Sequence, residues 1–310
     1  MPGGIRDLER ALAERLGRQE VRLEPLSVGC AWPVFCGRSS GHAPVFVKLT
    51  LPAAARRTLS FLAGAGECDF LPRPVLGGTF DFGGHSVLCL EWKEASRLNA
   101  EDMSERQADA FLDGCLRLSA VLSGAKDVAD PLPEDDPVFQ YGQLADYVRR
   151  HPLCGRLLEG LTSIPERQRT YGARPLVTIH GDLQPKNYGF NGDRFAAVFD
   201  FDDLTKGLAC EDATYAFTER CRKSELSAAK LARLRDLFLR MVAASPWDWE
   251  AWLVAVNHCR LRIAARRLAK HPDSPFVAFD IRRRDRSLRQ LAASLACRFG
   301  TETAECVHKP

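Results

Sequence analysis

The sequence has 310 residues, of which 45% are hydrophobic and 27% charged, and its formal net charge at pH 7 is +3. This composition is ordinary for a globular protein, and the length allows one large domain or two lobes with a sizeable core. The near balance of charge points to no particular class of partner. No apolar run approaches the roughly 18 residues of a membrane span, so we expect no membrane contact.

The cysteines and the first residues of the chain indicate its compartment. The eleven cysteines are odd in number and form no CxxC pair, which fits reduced thiols better than disulfides or a zinc site. Charged side chains between positions 6 and 10 stand where a signal peptide would need an apolar stretch. We therefore expect a cytoplasmic protein.

The first ninety residues predict a β-rich region with two helices. Residues 4–17 carry apolar side chains at spacings of three and four, and a second helix is predicted from Pro52 to Leu62. Short segments rich in β-forming residues alternate with turns. These segments are residues 21–23, 34–36, 45–49, 75–80 and 86–92.

From about residue 94 the periodicity becomes helical. Only residues 176–200 look like strand in this part of the chain. The pattern predicts an α+β fold with a small β-rich lobe followed by a larger, mainly helical lobe. The segments with helical spacing are residues 104–122, 140–150, 211–222, 224–244, 247–271 and 276–298.

Two polar strings lie on either side of a predicted hairpin. An HGDLQPKN string occupies residues 180–187, and DFDD occupies residues 200–203. The Asn-Gly pair at 191–192 is a strong turn signal, because both residues tolerate positive φ. A hairpin there would fold the second string back onto the first, so that carboxylate and carboxamide oxygens converge. Such a set supplies what phosphoryl transfer needs, an orienter for a hydroxyl and hard oxygen ligands for Mg²⁺. The alternative is a chance hairpin with exposed polar residues.

Together, the two strings resemble the catalytic core of the aminoglycoside phosphotransferase and choline kinase superfamily. Members of this superfamily are protein-kinase-like enzymes that act mostly on small molecules. The resemblance covers about residues 20–220 and implies a bilobal fold, with a nucleotide-binding lobe at 1–93 and a catalytic and substrate-binding lobe at 94–310. It also implies ATP, or another nucleoside triphosphate, and Mg²⁺ as cofactors.

The resemblance assigns roles to the polar residues of the two strings. Asp182 would be the catalytic aspartate, and Asn187 and Asp200 would hold Mg²⁺. His180 would support the catalytic loop. These assignments place the chemistry in the second lobe.

Three further carboxylates follow the hairpin. Asp202 and Asp203 are candidates for arranging metal or substrate, and the family more often has an acid at the place of Asp202. Asp212 is expected to be structural, because a carboxylate in the first turn of a helix interacts favourably with the helix dipole.

The nucleotide site is predicted from the β-rich region. Lys48 lies in the apolar segment 45–49, where an ammonium group is costly unless it meets an anion. In the family, a lysine at this place contacts the α and β phosphates. The alternative is an outward-facing strand lysine, which the alternation of a strand allows. The loop around Gly29 would lie over the phosphates, although it lacks the glycine pattern of protein kinases and of Walker loops.

Residues 87–93 resemble the strand that leads into the hinge between the lobes. The resemblance places adenine against backbone groups near Glu91 and Lys93, with Leu90 beside the ring. The alternative is a plain edge strand with an exposed Trp92.

One position departs from the family pattern. The helix after the lysine strand usually carries a glutamate that pairs with the lysine, and alignment on Leu59 and Leu62 places Ala55 there. Lys48 then lacks this partner or finds another, such as Glu67. The departure favours a second hypothesis, a pseudokinase or nucleotide-binding regulator with weak or no transfer activity.

The segment from 258 to 290 is strongly basic. It has ten Arg or Lys residues against three Asp residues, a local balance of +7. We expect this segment to help form the substrate side of the cleft. Its positive charges would repel a polycation, so we expect the acceptor to be neutral or anionic. The alternative is that the segment forms a solvated basic face. The acidic residues 134–136 could also reverse the sign of the charge at the cleft.

The basic segment also raises a third hypothesis, a nucleic-acid-associated protein. No aromatic-interleaved basic motif accompanies the segment, so nucleic acid is not the expected partner.

The main prediction is an ATP- and Mg²⁺-dependent phosphotransferase that moves the γ-phosphate to a hydroxyl of a small molecule. Sugars, amino sugars, amino alcohols and antibiotics all remain open as acceptors, and the sequence makes no prediction of the oligomeric state.

Overall fold

The fold consists of a β-rich N-terminal lobe and a mainly helical C-terminal lobe. The computed structural model describes residues 4–26, 33–66, 68–124, 136–221 and 226–300. This architecture confirms the predicted α+β class. Within the described part of the chain, no helix combines the length and the apolar composition needed to cross a membrane.

Five strands form the sheet of the N-terminal lobe. They are β1 (Arg22–Pro25), β2 (Val34–Ser39), β3 (His42–Thr50), β4 (Phe80–Phe82) and β5 (His85–Glu91). Neighbouring strands are antiparallel in the order β1-β2-β3-β5-β4, so β3, which carries Lys48, is the central strand. The strand predicted at 75–80 is wrong, because the strand begins only at Phe80. Gly77 and Gly78 offer no side chain to pack on a sheet and interrupt the segment.

Two helices of the N-terminal lobe lie at the predicted places. Helix α1 (Ile5–Leu16) buries Leu8 and Leu12 completely against the sheet and ends at Gly17, whose φ is 62°. A glycine in this left-handed conformation is a common helix end. Helix α2 (Pro52–Gly64) starts on a proline, which is well suited to the first helical position.

Seven helices lie in the described part of the C-terminal lobe. They are α3 (Glu105–Ser123), α4 (Pro137–Arg150), α5 (Gly155–Thr162), α6 (Glu211–Cys221), α7 (Ala228–Ala244), α8 (Trp249–Lys270) and α9 (Val277–Phe299). Six of them confirm the predicted helical segments. Helix α5 was not predicted, because its eight residues provide too few turns for a clear period. Helix α8 packs against both α4 and α9.

Four short strands lie between α5 and α6. They are β6 (Val177–Ile179), β7 (Tyr188–Asn191), β8 (Arg194–Val198) and β9 (Thr205–Gly207). Strands β7 and β8 form the predicted antiparallel hairpin, with Gly192 at a φ of 61° in the turn. Strand β6 pairs with β9, which was not predicted because three residues carry almost no pattern of their own.

The hairpin is fixed in place by aromatic packing on α3. The ring of Phe111 lies 4.9 Å from that of Tyr188 and 5.7 Å from that of Phe195, measured between centroids. All three side chains are buried. Such ring contacts stabilise the fold beyond the free energy gained by burial. They fix the position of the hairpin, and with it the segments that precede and follow it.

The connection between the lobes is fastened to the same hairpin. The Ser96 amide donates to the Phe190 oxygen at 2.8 Å, and the Phe190 amide donates to the Ser96 oxygen at 2.9 Å. Gly189 makes this approach possible, because a Cβ atom there would lie 2.7 Å from the Ala95 Cβ. The chain that follows β5 therefore runs directly over β7.

Candidate active site

Asp182 lies just beyond β6, in the loop of residues 180–187, which we call the HGD loop. Its carboxylate accepts hydrogen bonds from Gln184 Nε2, at 2.8 Å to each oxygen, and from Asn187 Nδ2 at 2.9 Å. Asn187 Nδ2 also donates to the main-chain oxygen of Asp182 at 2.8 Å. The two amides fix the orientation of the carboxylate, and Asn187 keeps its Oδ1 atom for another ligand.

The side chain of His180, the first residue of the HGD loop, is fully buried. Its Nε2 donates to the main-chain oxygen of Phe199 at 2.7 Å, and its Nδ1 accepts from the Asp182 amide at 3.3 Å. Both ring nitrogens are therefore engaged with main-chain atoms. The ring joins the HGD loop to the residue that precedes Asp200.

Asp212, in the first turn of α6, holds the HGD loop from another side. Its Oδ2 accepts from the His180 amide at 2.7 Å, and its Oδ1 accepts from the Gly181 amide at 3.0 Å. Burial raises the pKa of Asp212, although His180 and the two amides act in the opposite direction. Sequence reasoning assigns Asp212 a structural role through the helix dipole, and these contacts identify the loop on which it acts.

Gly181 allows the HGD loop to lie against the segment after β8. Its φ is 78°, and a Cβ atom at this position would lie 2.2 Å from the main-chain oxygen of Asp203. No side chain fits at that distance. The approach of the two predicted strings therefore depends on a glycine at this position.

Lys48 of β3 is buried, with 3% of its surface exposed. Its Nζ lies 2.5 Å from Asp200 Oδ1 and 2.7 Å from Asp202 Oδ2. Burial alone would lower the pKa of Lys48, but the two carboxylates outweigh it and raise the pKa. The side chain thus reaches from the sheet of the N-terminal lobe to the segment after β8 and does not face solvent.

The acids after β8 have unlike environments. Among the described residues, Asp200 is the one non-glycine residue with a positive φ, 66°, and such backbone recurs at functional sites. Burial would raise the pKa of Asp200, but Lys48 outweighs it and lowers the pKa. Burial also raises the pKa of Asp203, and the carboxylates of Asp182 and Asp200 raise it further.

A cavity of about 380 Å³ lies beside Lys48 and Asp200. Four cationic side chains and one carboxylate make its polar part suited to a polyanion. Phe46, Trp92 and Phe199 contribute apolar surface. The polar side chains of the lining are Lys48, Lys93, Arg97, Lys186, Asn187 and Asp200.

The cavity brings together four residues that the sequence assigns to nucleotide or metal. They are Lys48, Lys93, Asn187 and Asp200. Leu90 is not in the lining, because its side chain is 4% exposed and packs in the hydrophobic core. Glu91 is not in the lining either, and its carboxylate pairs with Lys93 Nζ at 3.1 Å. Gly29 and Glu67 lie outside the described residues.

Sequence reasoning missed several lining residues. Phe46 lies two residues before Lys48 and so on the same face of β3, and this alternation is a signal that could have identified it. Its ring is 6.3 Å from that of Phe199, which directly precedes Asp200. Arg97 lies in an irregular segment beyond β5, and no local pattern indicates its position.

The cavity contains oxygen atoms suited to Mg²⁺. Among the described residues, no group of three or more His, Cys, Asp or Glu side chains is arranged to hold a metal ion. Magnesium is usually held by one or two carboxylates together with phosphate oxygens and waters, so a smaller protein contribution is sufficient. Asn187 and Asp200 both line the cavity, and Asp200 Oδ1 contacts Lys48. These residues fit a magnesium ion that is bound together with phosphate.

Much of the basic segment is neutralised within the C-terminal lobe. Arg260 is buried, and its Nε lies 2.6 Å from Asp285 Oδ1. Asp280 pairs with Arg267 of α8 at 3.0 Å and with Arg283 and Arg284 of its own helix, at 2.9 and 3.1 Å. Intrahelical and interhelical partners occupy these residues, so the expected contribution to the substrate side of the cleft remains a prediction for the rest of the segment.

Arg262 is the part of the basic segment that reaches the HGD loop. Its guanidinium lies over the Tyr215 ring, 4.1 Å from the centroid, and its Nη1 is 3.5 Å from the Gly181 oxygen. Burial alone would lower the pKa of Arg262, but Tyr215, Cys259 and nearby carboxylates raise it. The acidic residues 134 and 135 lie outside the described residues, and Asp136 caps α4 by accepting from the Val138 amide at 2.6 Å.

Solved structures with this fold include antibiotic phosphotransferases. A spectinomycin phosphotransferase, APH(9)-Ia, in complex with ADP and spectinomycin, is 10% identical, with a TM-score of 0.58 over 95% of this chain and 99% of that one. A thermostable mutant of aminoglycoside phosphotransferase APH(4)-Ia, in complex with ADP and hygromycin B, is 17% identical, with a TM-score of 0.56 over 91% and 98%. The macrolide 2′-phosphotransferase MphH from Brachybacterium faecium is 15% identical, with a TM-score of 0.52 over 93% and 97%. At these identities the likeness establishes the fold.

The sequence itself identifies the family. No curated protein matches the sequence significantly. The profile of the phosphotransferase enzyme family, APH, matches residues 38–253, which include β3, the HGD loop and the DFDD string. The chain therefore belongs to the phosphotransferase enzyme family, and it is a small-molecule phosphotransferase of protein-kinase-like fold.

Proposed function

We propose that the protein transfers the γ-phosphate of ATP, or of another nucleoside triphosphate, to a hydroxyl group of a small molecule, with Mg²⁺ as cofactor. The observation that carries this proposal is the convergence of Lys48, Asn187 and Asp200 on one cavity, next to an Asp182 held by two amides. The lobes supply different parts of the site, and the boundary between them is proposed at residues 93 and 94.

Asp182 is proposed as the group that orients the acceptor hydroxyl and receives its proton. The hydroxyl oxygen forms a bond to the γ-phosphorus as the bond to the bridging oxygen of the nucleoside diphosphate breaks. Gln184 and Asn187 keep the carboxylate directed to one place, so little reorganisation precedes the reaction. His180 supports the loop through Phe199.

Asn187 and Asp200 are proposed as the protein ligands of Mg²⁺. When bound, the ion would neutralise charge on the phosphate oxygens. Lys48 contributes a second positive charge at the same end of the cavity. Asp202 and Asp203 have supporting roles, since Asp202 pairs with Lys48 and Asp203 lies under Gly181.

The nucleotide base is proposed to lie between Phe46 and Trp92, at the apolar part of the cavity. The main chain around Glu91 and Lys93 would pair with the base, with Leu90 in the layer behind it. The loop at Gly29 remains a predicted phosphate cover. Two of the related structures contain ADP, which supports a nucleotide in the corresponding cavity.

The acceptor is proposed to be neutral or anionic, because Arg262 places a positive charge beside the HGD loop. Hygromycin B and spectinomycin occupy two of the related structures, so antibiotics belong in any screen. We also propose a cytoplasmic location, since the nine cysteines of the described residues are thiols.

The test is a phosphorus NMR assay of ATP consumption with Mg²⁺ and a panel of hydroxylated compounds. The panel contains sugars, sugar phosphates, amino alcohols, aminoglycosides, spectinomycin and macrolides. A new phosphate ester signal with one acceptor supports the proposal and names the acceptor class. Efficient turnover of a polycationic aminoglycoside would overturn the charge assignment while leaving the kinase assignment intact.

The second candidate is a pseudokinase or nucleotide-binding regulator. Ala55, fully buried in α2, is the observation that favours it, because no glutamate from this position reaches Lys48. Tight binding of ATP in a calorimetric titration, with neither ester formation nor hydrolysis in the NMR assay, would support this candidate.

A further inference from the structure

Asp202 is held on the N-terminal lobe by three contacts. Its Oδ2 lies 2.7 Å from Lys48 Nζ and accepts from Thr50 Oγ1 at 2.9 Å, and Arg57 Nη2 donates to its main-chain oxygen at 3.0 Å. Thr50 is fully buried. Two of the contacts come from β3 and the third from α2, so Asp202 is fixed to the lobe that carries Lys48.

The two counter-ions of Lys48 differ in what else they face. Asp200 lines the cavity, whereas Asp202 does not. The second carboxylate oxygen of Asp202 is buried without a hydrogen-bond partner among the described atoms. Since an unpaired buried oxygen is costly, the orientation of this carboxylate is set by its bonds to Lys48 and Thr50 and not by the need to satisfy both oxygens.

We propose that Asp202 is a positioning residue that keeps the ammonium group of Lys48 at the phosphate end of the cavity. This inference rests on the proposed function, in which Asp200 turns to the metal and phosphates enter beside Lys48. Asp200 is then shared with another cation, but the Lys48–Asp202 pair can persist. A lysine on a central strand needs such a lasting partner, because an uncompensated buried charge is unfavourable.

The position of Ala55 agrees with this assignment. Its side chain is a methyl group, fully buried in α2, and supplies no charge to Lys48. The same helix instead provides Arg57, which fastens the Asp202 main chain. The counter-ion therefore comes from the segment after β8, and α2 contributes indirectly.

The test is a double-mutant cycle on nucleotide affinity, with AMP-PNP and Mg²⁺ as the probe and calorimetry as the readout. Asp202→Asn keeps the shape of the side chain and removes its charge, so we expect binding about tenfold weaker, the size of a lost charge-assisted hydrogen bond. In the Lys48→Met background, where the partner is gone, the same substitution should change the affinity less than about twofold. Asp202→Glu should recover part of the loss.

Three comparisons make the result decisive. Asp193→Asn in the exposed hairpin turn makes the same chemical change far from Lys48 and should leave the affinity unaltered. Thr50→Val loosens Asp202 without changing charge and should weaken binding less than Asp202→Asn; it also provides the test if Asp202→Asn does not fold. Equal losses for Asp202→Asn in the wild-type and Lys48→Met backgrounds would overturn the inference. Failure of the wild-type protein to bind AMP-PNP would instead refute the proposed function.

Discussion

The carboxylate of Asp182 is oriented before any substrate arrives, because Gln184 and Asn187 both donate to it. Asp182→Asn keeps the volume of the side chain but removes the proton acceptor. We expect the turnover number to fall by about 10²–10⁴, the usual effect of losing an acid–base group. Nucleotide affinity and the unfolding transition should change little, because Lys48 and Asp200 are untouched.

The measurement is steady-state turnover with the best acceptor, accompanied by calorimetric titration of the nucleotide. Asp193→Asn, on the exposed hairpin turn, serves as the matched substitution and should retain wild-type turnover. Wild-type turnover in Asp182→Asn would remove this residue from the mechanism.

Two glycines with similar backbone angles allow the effect of close packing to be separated from that of backbone strain. A Cβ atom added at Gly181, whose φ is 78°, would lie 2.2 Å from the main-chain oxygen of Asp203. A Cβ atom added at Gly192, whose φ is 61°, would meet open space. Gly192→Ala should cost only the left-handed strain of about 1–2 kcal/mol. Gly181→Ala must also displace the Asp203 backbone, so it should lose more stability and most of its turnover.

Urea denaturation and turnover assays on both variants test this comparison. The decisive quantity is the activity that remains under conditions where each variant is folded. Equal residual activity in the two variants would mean that the contact between Gly181 and Asp203 has no effect on catalysis.

At the scale of elements, Asp280 joins α8 to α9. Burial would raise the pKa of Asp280, but hydrogen bonds from Arg284 and Arg283, with the charge of Arg267, outweigh it and lower the pKa. A carboxylate whose pKa is lowered stabilises the fold at pH values above its ordinary pKa of about 4. This contribution is lost as the pH falls through the lower pKa of the folded state. Asp280→Asn should therefore cost about 0.5–1 kcal/mol at pH 7 for this partly exposed group, and progressively less below about pH 4.

Urea denaturation of both proteins at a series of pH values measures this difference. Asp273→Asn is a suitable comparison, because Asp273 pairs with Arg150 at 3.2 Å but its side chain is 87% exposed. We expect a smaller and more salt-sensitive effect there. A loss in Asp280→Asn that stays constant down to pH 3 would contradict the role of the ionised carboxylate.

The elements differ in how well the sequence predicts them. The β7–β8 hairpin and six long helices could be predicted, because the Asn-Gly turn and the helical period are local signals. Strand β9 exists only through pairing with β6, and α5 is too short for its period to be recognised. These two elements depend on tertiary partners that no local pattern reveals.

The residues of the candidate site also differ in how well the sequence predicts them. The HGD loop and Asp200 could be recognised from a fixed spacing along the chain. The contact of Asp202 with Lys48 and Thr50 could not, because 152 residues separate Asp202 from Thr50. Arg97 and Arg262 reach the site from an irregular segment and from a long helix, and only the fold brings them there.

At the scale of the whole molecule, the reactivity of the cysteines measures how well the core is protected from solvent. Seven of the nine described cysteines are buried, Cys68 is intermediate and Cys297 is exposed. Burial raises the pKa of Cys89 and Cys221 to about 12, which leaves almost no reactive thiolate at neutral pH. In the native protein we expect Cys297 to react rapidly with a disulfide reagent and the buried thiols only after unfolding.

The experiment follows reagent absorbance in native buffer and in denaturant. Cys30 and Cys306, which lie outside the described residues, are first replaced by serine so that their thiols do not contribute. Cys297→Ser in that background should remove the fast phase. Rapid reaction of several buried thiols in native buffer would show that the core opens far more often than its packing implies.

The ladder between Ser96 and Phe190 has a mechanical consequence. Because the chain is held on β7 at Ser96, the connection between the lobes is reduced to residues 92–95, which belong to no strand. Trp92 and Lys93, in that same short stretch, line the cavity. A ligand in the cavity should therefore restrain the connection between the two lobes directly.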